Sequence, residues 1–299
     1  GYLKAMADII RTLRGKWKYG SLLYRIIFIN IAVFILLHAF SLVSGLINST
    51  LAQAMLSKIG LPSSQWQLLM QPWSIITYMF TQYDLFHILF NMVWLYWFGE
   101  IFLITDTPKR LTALYFYGGI SGGVLFMLAY AVLPVFEHQT GFLIGASASV
   151  IAIVAASAIL HPDYKVPLFF IGEVPVKWIA IITIAIDFIS IGGNNGGGHI
   201  SHIGGALAGV AYAIAQRRGT DITKPFNRAM DKICNIFGTT DPGNSKKHYQ
   251  KPAMSVNNTL DSLLDKIRRS GYNSLTIDEK KRLMDLSNEL HRRHHKDNV

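Results

Sequence analysis

A sparsely charged block between Arg25 and Arg217 holds six apolar stretches, at about 26–47, 85–104, 111–133, 143–160, 176–191 and 200–215. A helix needs about 20 mostly apolar residues to cross a bilayer's hydrocarbon core. Inside that core every backbone N–H and C=O must find its partner within the protein, so such stretches are expected to be helices. The last three are short, which suits helices partly shielded from lipid. Composition agrees: 15% of the chain is charged and 51% hydrophobic, against roughly a quarter charged in soluble domains. The net charge of +10 gathers at the two ends. It reads as basic ends beside a membrane rather than as a nucleic-acid site. A single cysteine, Cys234, excludes an internal disulfide.

The first apolar run is too long for a signal-peptide core and reads as a retained helix. Lys4, Arg11, Arg14, Lys16, Lys18 and Arg25 precede it. Lys109 and Arg110 follow the second run, Lys165 the fourth, and Arg217 and Arg218 the sixth, while the intervening loops hold only Lys58. Basic residues stay on the cytoplasmic side. The expectation is an integral membrane protein with both ends cytoplasmic, six crossings, and even-numbered spans running inward. Four regions follow: a basic segment 1–25, a six-helix core 26–218, an amphipathic helix and linker 219–256, and a small helical tail 257–299. Segment 48–84 is expected to be a structured interfacial loop on the outer face. Residues 192–198, GGNNGGG, are expected to be a flexible link. In 221–238, Ile222, Phe226, Met230, Ile233 and Phe237 share one helical face suited to a membrane surface. The tail is expected to pair two short helices, the second opened by a Thr276–Glu279 capping box. Its closing HRRHHKDN is too weakly patterned for a metal site, and nothing in the pattern calls for a cofactor.

The stretch Gly145-Ala146-Ser147-Ala148-Ser149-Val150 opens the fourth run. Small residues of this kind let two membrane helices touch. A serine there is equally a candidate nucleophile once a base takes its proton. Polar residues at membrane depth are functional suspects. Three inward-running spans bring Ser147, His202, His87 and Asn91 to similar depth below the outer face. His87 and Asn91, four apart, share a helical face. Histidine is a base near neutral pH, and amide and imidazole N–H groups stabilise an oxyanion. Asp187 is the one carboxylate at that depth; it is read as structural, so a Ser147–His202 dyad is expected. Gly205 and Gly209, one and two turns beyond His202, would let span six pack on the small face that Gly145 opens. Ser149 lies about 200° from Ser147 around the helix and is read as packing. His199 is read as an interfacial loop residue.

The motifs HxxxN at His87 and Asn91, GxSx at Gly145 and Ser147, and HxxGxxxG at His202, Gly205 and Gly209 resemble, in order and depth, the rhomboid intramembrane serine proteases. The resemblance runs over about residues 25–218. It implies an all-α membrane protein, a six-transmembrane-helix bundle with a small helical cytoplasmic tail. The tail from Leu260 to Leu290 resembles a small helical appendage of some bacterial relatives, which implies a bacterial inner membrane. It also implies a Ser147 nucleophile, a His202 base, and an oxyanion hole from His87, Asn91 and the Ser147 N–H. Trp73 falls where family members carry Trp-Arg, but Ser74 follows it here. Ala148 replaces a usual glycine. Ile151 replaces a tyrosine that stacks on the histidine in some relatives, which would leave histidine orientation to packing. The expected function is hydrolysis of peptide bonds in or near transmembrane segments of protein substrates lying in the lipid bilayer. The alternatives are a non-catalytic rhomboid-like protein that binds membrane-protein clients, and a transporter, though neither internal repeats nor a charged pathway supports the latter. Nothing in the sequence specifies an oligomeric state.

Overall fold

The computed structural model describes residues 21–47, 50–168, 172–193 and 195–236, together with residue 283. The chain divides into two units, Gly1–Ile233 and Cys234–Val299, and the helical bundle belongs to the first. The basic segment before residue 21, Phe237, the linker and, apart from residue 283, the tail helices lie outside the described residues.

Helix α1 (Leu22–Ile47) is followed by α2 (Leu51–Ile59), strand β1 (Leu61–Pro62), and the short helices α3 (Gln65–Met70) and α4 (Ser74–Thr77). Then come α5 (Leu85–Phe102), α6 (Pro108–Val132), β2 (Phe142–Leu143), α7 (Ser147–Leu160), β3 (Lys165–Leu168) and β4 (Gly172–Pro175). Helices α8 (Val176–Ile189), α9 (Gly196–Arg217) and α10 (Lys224–Ile236) complete the order. Local chemistry sets several starts. Asp84 caps α5 by accepting the His87 N–H at 2.7 Å. Thr107 caps α6 with Pro108 at its first position, where a missing N–H is harmless.

Helices α1, α5 and α6 are long and apolar enough to cross a membrane. Ile35, Leu36, Leu42 and Leu46 on α1, Phe86 and Phe90 on α5, and Ile182, Ile186 and Ile189 on α8 face outward. Apolar side chains outside as well as inside make this a mostly helical membrane protein. Helix α7 has only 14 residues, about 21 Å of helix. Every residue from Ala148 to Ala158 in it is buried. It is the axis of the bundle, apolar all round because protein surrounds it all round.

Close approach to that axis depends on positions without side chains. A Cβ at Gly205 would fall on the Ala148 carbonyl oxygen, and one at Gly209 on that of Ala152. Helix α9 therefore packs on α7 backbone to backbone. A second small face, Gly118, Gly119, Gly122 and Gly123 on α6, was not anticipated. A Cβ at Gly122 would stand 2.6 Å from Ala148 Cβ and 2.8 Å from Ser201 O. Ser121 Oγ also donates to Gly204 O at 2.8 Å, tying α6 to α9.

Residues 50–84 are tied together by hydrogen bonds within the segment. Gln71 Nε2 donates to Ser57 O at 3.2 Å, Trp73 Nε1 to Lys58 O at 2.8 Å, and Thr77 Oγ1 to Ile59 O at 2.6 Å. Among the described residues, two antiparallel strand pairs add to the helical architecture, β1 with β2 and β3 with β4. The first pairs Leu61 with Leu143 and Pro62 with Phe142, so this segment grips the chain just before Gly145.

Candidate active site

Ser147 is the first residue of α7. The chain reaches it through Gly145, whose φ of +126° suits glycine and whose N–H donates to Tyr78 O at 3.0 Å. The Gly145 position needs glycine for a second reason. A Cβ there would stand 2.8 Å from His87 Cε1, 3.3 Å from His87 Nε2 and 3.6 Å from Ser147 Oγ. Gly145 thus makes room for the His87 ring beside Ser147, and not for span six as the sequence suggested; that contact belongs to Ala148 and Gly205. The N–H groups in the first turn of α7 lack intrahelical partners, as at any helix start, and carry the positive end of its dipole.

Ser147, His202 and His87 together line two cavities. One, of about 240 Å³, is closed by Phe126, Tyr130, Asn195 and Gly197. The other, of about 260 Å³, is bounded by Phe90, Asn91 and Trp94 of α5 and by Thr183 and Asp187 of α8. Three of the four polar residues expected at one depth border both spaces, and Asn91 borders the second. Asn91 is already engaged: its Nδ2 donates to Gln82 Oε1 at 2.8 Å. Gln82 Nε2 donates to Asn30 Oδ1 at 3.0 Å, and Asn30 Nδ2 to Tyr115 OH at 3.1 Å. This buried chain runs from α1 to the site and leaves Asn91 one N–H for any other acceptor.

The largest correction concerns Asp187. It is buried, at 5% exposure, and its Oδ1 lies 2.8 Å from His202 Nδ1. An ionised carboxylate only accepts, so Nδ1 carries the proton and Nε2 keeps its lone pair. Asp187 is therefore the group that orients His202, and Ile151, which borders the second cavity with His202, does not have to do so. His199 is corrected too. It lies inside α9 rather than in a loop, and its Nδ1 also meets Asp187 Oδ1 at 2.8 Å. The stretch expected to be a flexible link is largely helical: Gly192 ends a 3-10 turn begun at Ser190, and Gly196, Gly197 and Gly198 are buried in the first turn of α9. They are glycines for close approach; a Cβ at Gly197 would stand 2.8 Å from the Phe126 ring. The signal available in the sequence was the H-x-x-H spacing, which puts both rings on one helical face.

Ser149 points away from the cavities. It is fully buried, and its Oγ, which has no hydrogen-bond partner, would lie 2.8 Å from a Cβ on Gly119.

Comparison with known proteins agrees with the geometry. A Rhomboid domain is matched over residues 69–219, half of the chain and all the motifs above. Residues 248–289 match a separate family of unknown function, DUF6576. The chain is 32% identical over 152 residues to RHOMBOID-like protein 12, mitochondrial, of Arabidopsis thaliana, covering 47% of this chain and 45% of that protein. It is 28% identical over 178 residues to Rhomboid-like protein 17, chloroplastic, of the same plant, covering 50% and 54%. The chain spans about half the length of these curated relatives. With its motifs, its bundle and this match in agreement, the chain belongs to the rhomboid family.

Proposed function

We propose that the protein is an intramembrane serine endopeptidase with six crossings, its ends on the cytoplasmic face of a bacterial plasma membrane and its cavities open to the outer side. The loop charges support this orientation, and the tail's resemblance to bacterial members supports the membrane. The observation that carries the activity is a hydroxyl at a helix start sharing two cavities with an imidazole whose Nδ1 is held by a buried carboxylate. Ser147 Oγ attacks a substrate carbonyl, and its proton goes to His202 Nε2. Asp187 keeps the tautomer and stabilises the imidazolium. The oxyanion is met by the first N–H groups of α7, by His87 and by the remaining N–H of Asn91. His202 then protonates the leaving amine, and water hydrolyses the acyl-enzyme.

The substrate is a transmembrane protein whose helix enters laterally between α5 and α8. The second cavity is bounded by residues of those two helices, which supports that route. An intact helix hides its carbonyls in hydrogen bonds, so helix-breaking residues near the cut favour cleavage. Small residues at the cut site suit cavities of about 240 and 260 Å³. The test is co-expression with single-span substrates, alongside labelling by a fluorophosphonate. Ser147→Ala and His202→Ala are each expected to stay folded and lose all cleavage, and Ser147→Ala to lose labelling. Full cleavage by folded Ser147→Ala rejects the assignment.

A further inference from the structure

His199 and His202 leave α9 on one face, with ring centroids 5.9 Å apart and planes at 85°. Both Nδ1 atoms converge on the same oxygen of Asp187, at 2.8 Å each. The second oxygen, Asp187 Oδ2, is buried and has no hydrogen-bond partner. The ligating atoms of the three residues all lie within 4.8 Å of one another. Two imidazole nitrogens and a carboxylate are a donor set that zinc takes, at about 2.0–2.2 Å per ligand and with a position left open. Buried charges in proteins are paired or coordinate metals, and Asp187 keeps one buried oxygen free for a cation.

We propose that Asp187, His199 and His202 form an inhibitory zinc site. The consequence for cleavage rests on reading His202 as the base. Zinc takes the Nδ1 lone pair, and the proton displaced from Nδ1 moves to Nε2 of the neutral ring. His202 then has no lone pair facing Ser147, so metal binding and proton abstraction exclude each other. His199 is the second anchor for the metal and does not touch the reacting atoms.

The test uses the full chain in detergent, without an affinity histidine tag. Co2+ is titrated as a coloured probe and then displaced with Zn2+. Wild type and Ser147→Ala are expected to bind one more ion per chain than His199→Asn or His202→Asn. The chain holds ten histidines, so any site elsewhere is common to all variants and cancels. Loss of one ligand should weaken affinity by more than about 100-fold, the upper end for loss of a mere supporting partner. Melting curves check folding, and His202→Asn carries the comparison if His199→Asn does not fold. Cleavage is then measured for wild type and His199→Asn in chelator and in excess Zn2+, each variant being its own baseline. Wild type is expected to be inhibited and restored by chelator, and His199→Asn to be insensitive. Equal metal binding by wild type and both histidine variants overturns the site. If the extra ion binds but no variant cleaves, the zinc site stands and the protease reading fails. Cleavage by wild type that Zn2+ does not slow overturns the inhibition.

Discussion

Ser147 and Ser149 sit two residues apart in a run of small side chains, yet they face different surroundings. Ser147 borders both cavities, whereas Ser149 buries an unpartnered hydroxyl against α6. An unsatisfied buried hydroxyl is itself destabilising. Ser149→Ala should therefore keep full cleavage and melt at the same temperature or higher; a folded but inactive variant would reverse the roles given to the two serines. Asp187→Asn keeps the shape but can reverse the hydrogen bond to His202 Nδ1 and favour the wrong tautomer. Cleavage should fall about 10²–10⁴-fold with fluorophosphonate labelling slowed in parallel. A fall of only a few-fold in rate would return Asp187 to a structural part. Asn91→Ala should cost less than Ser147→Ala, about 10²–10³-fold for one oxyanion donor. It should also lower the melting temperature, because it leaves the buried Gln82 Oε1 without its donor.

At the scale of elements, the site depends on helices meeting where side chains are missing. Gly205 is three residues beyond His202 and lies on the Ala148 carbonyl. Gly205→Val must push α9 away from α7, since the obstacle is backbone and cannot rotate aside. Overpacking of this kind destabilises by about 1–3 kcal/mol or more. It should also remove His202 from reach of Ser147, so activity should fall further than stability does. Thermal unfolding and cleavage on one preparation test this. A variant with unchanged melting and unchanged rate would mean that the two helices are not held at this distance.

At the scale of the molecule, the end of the bundle where α6 starts carries a polar clamp. Arg110 reaches Asp106 at 3.0 Å and Asp221 at 2.9 Å, joining the start of α6 to the segment between α9 and α10. Thr223 donates its N–H and its hydroxyl to Asp221 Oδ1, at 2.9 and 2.6 Å. Burial alone would raise the Asp221 carboxyl, but Thr223 and Arg110 outweigh it and hold it below the usual carboxylate range. The folded form thus binds this proton less readily than the unfolded chain. The stabilisation is complete above the unfolded value of about 3.9 and disappears as pH falls through the lower folded value. Asp221→Asn should lose about 1–2 kcal/mol at neutral pH, in the range of charge-assisted hydrogen bonds weakened by partial exposure. The difference in melting temperature from wild type should shrink as the pH approaches 3. A difference that stays constant to that pH would assign the effect to shape rather than charge.

Much of the molecule was legible in one dimension. Apolar runs of near-membrane length mark the helices because lipid leaves the backbone no other partner. Counting apolar runs from the sequence put Ser147, His202 and His87 together as candidates, and in the fold they line the same two cavities. The closeness of α9 to α7 was readable in Gly205 and Gly209, because absent side chains are a property of the chain itself. What lay beyond reach depends on how helices rotate about their axes. Whether Asp187 points to lipid, to a loop or to His202 is decided by the packing of α8, and no periodicity of a helix so nearly apolar states it. The same holds for Gly145, whose missing side chain makes room for a ring from a helix about sixty residues earlier. Covalent order and solvent preference determined which residues could meet; tertiary packing decided that His199 and His202 share one carboxylate oxygen, because only the folded bundle brings α8 against α9.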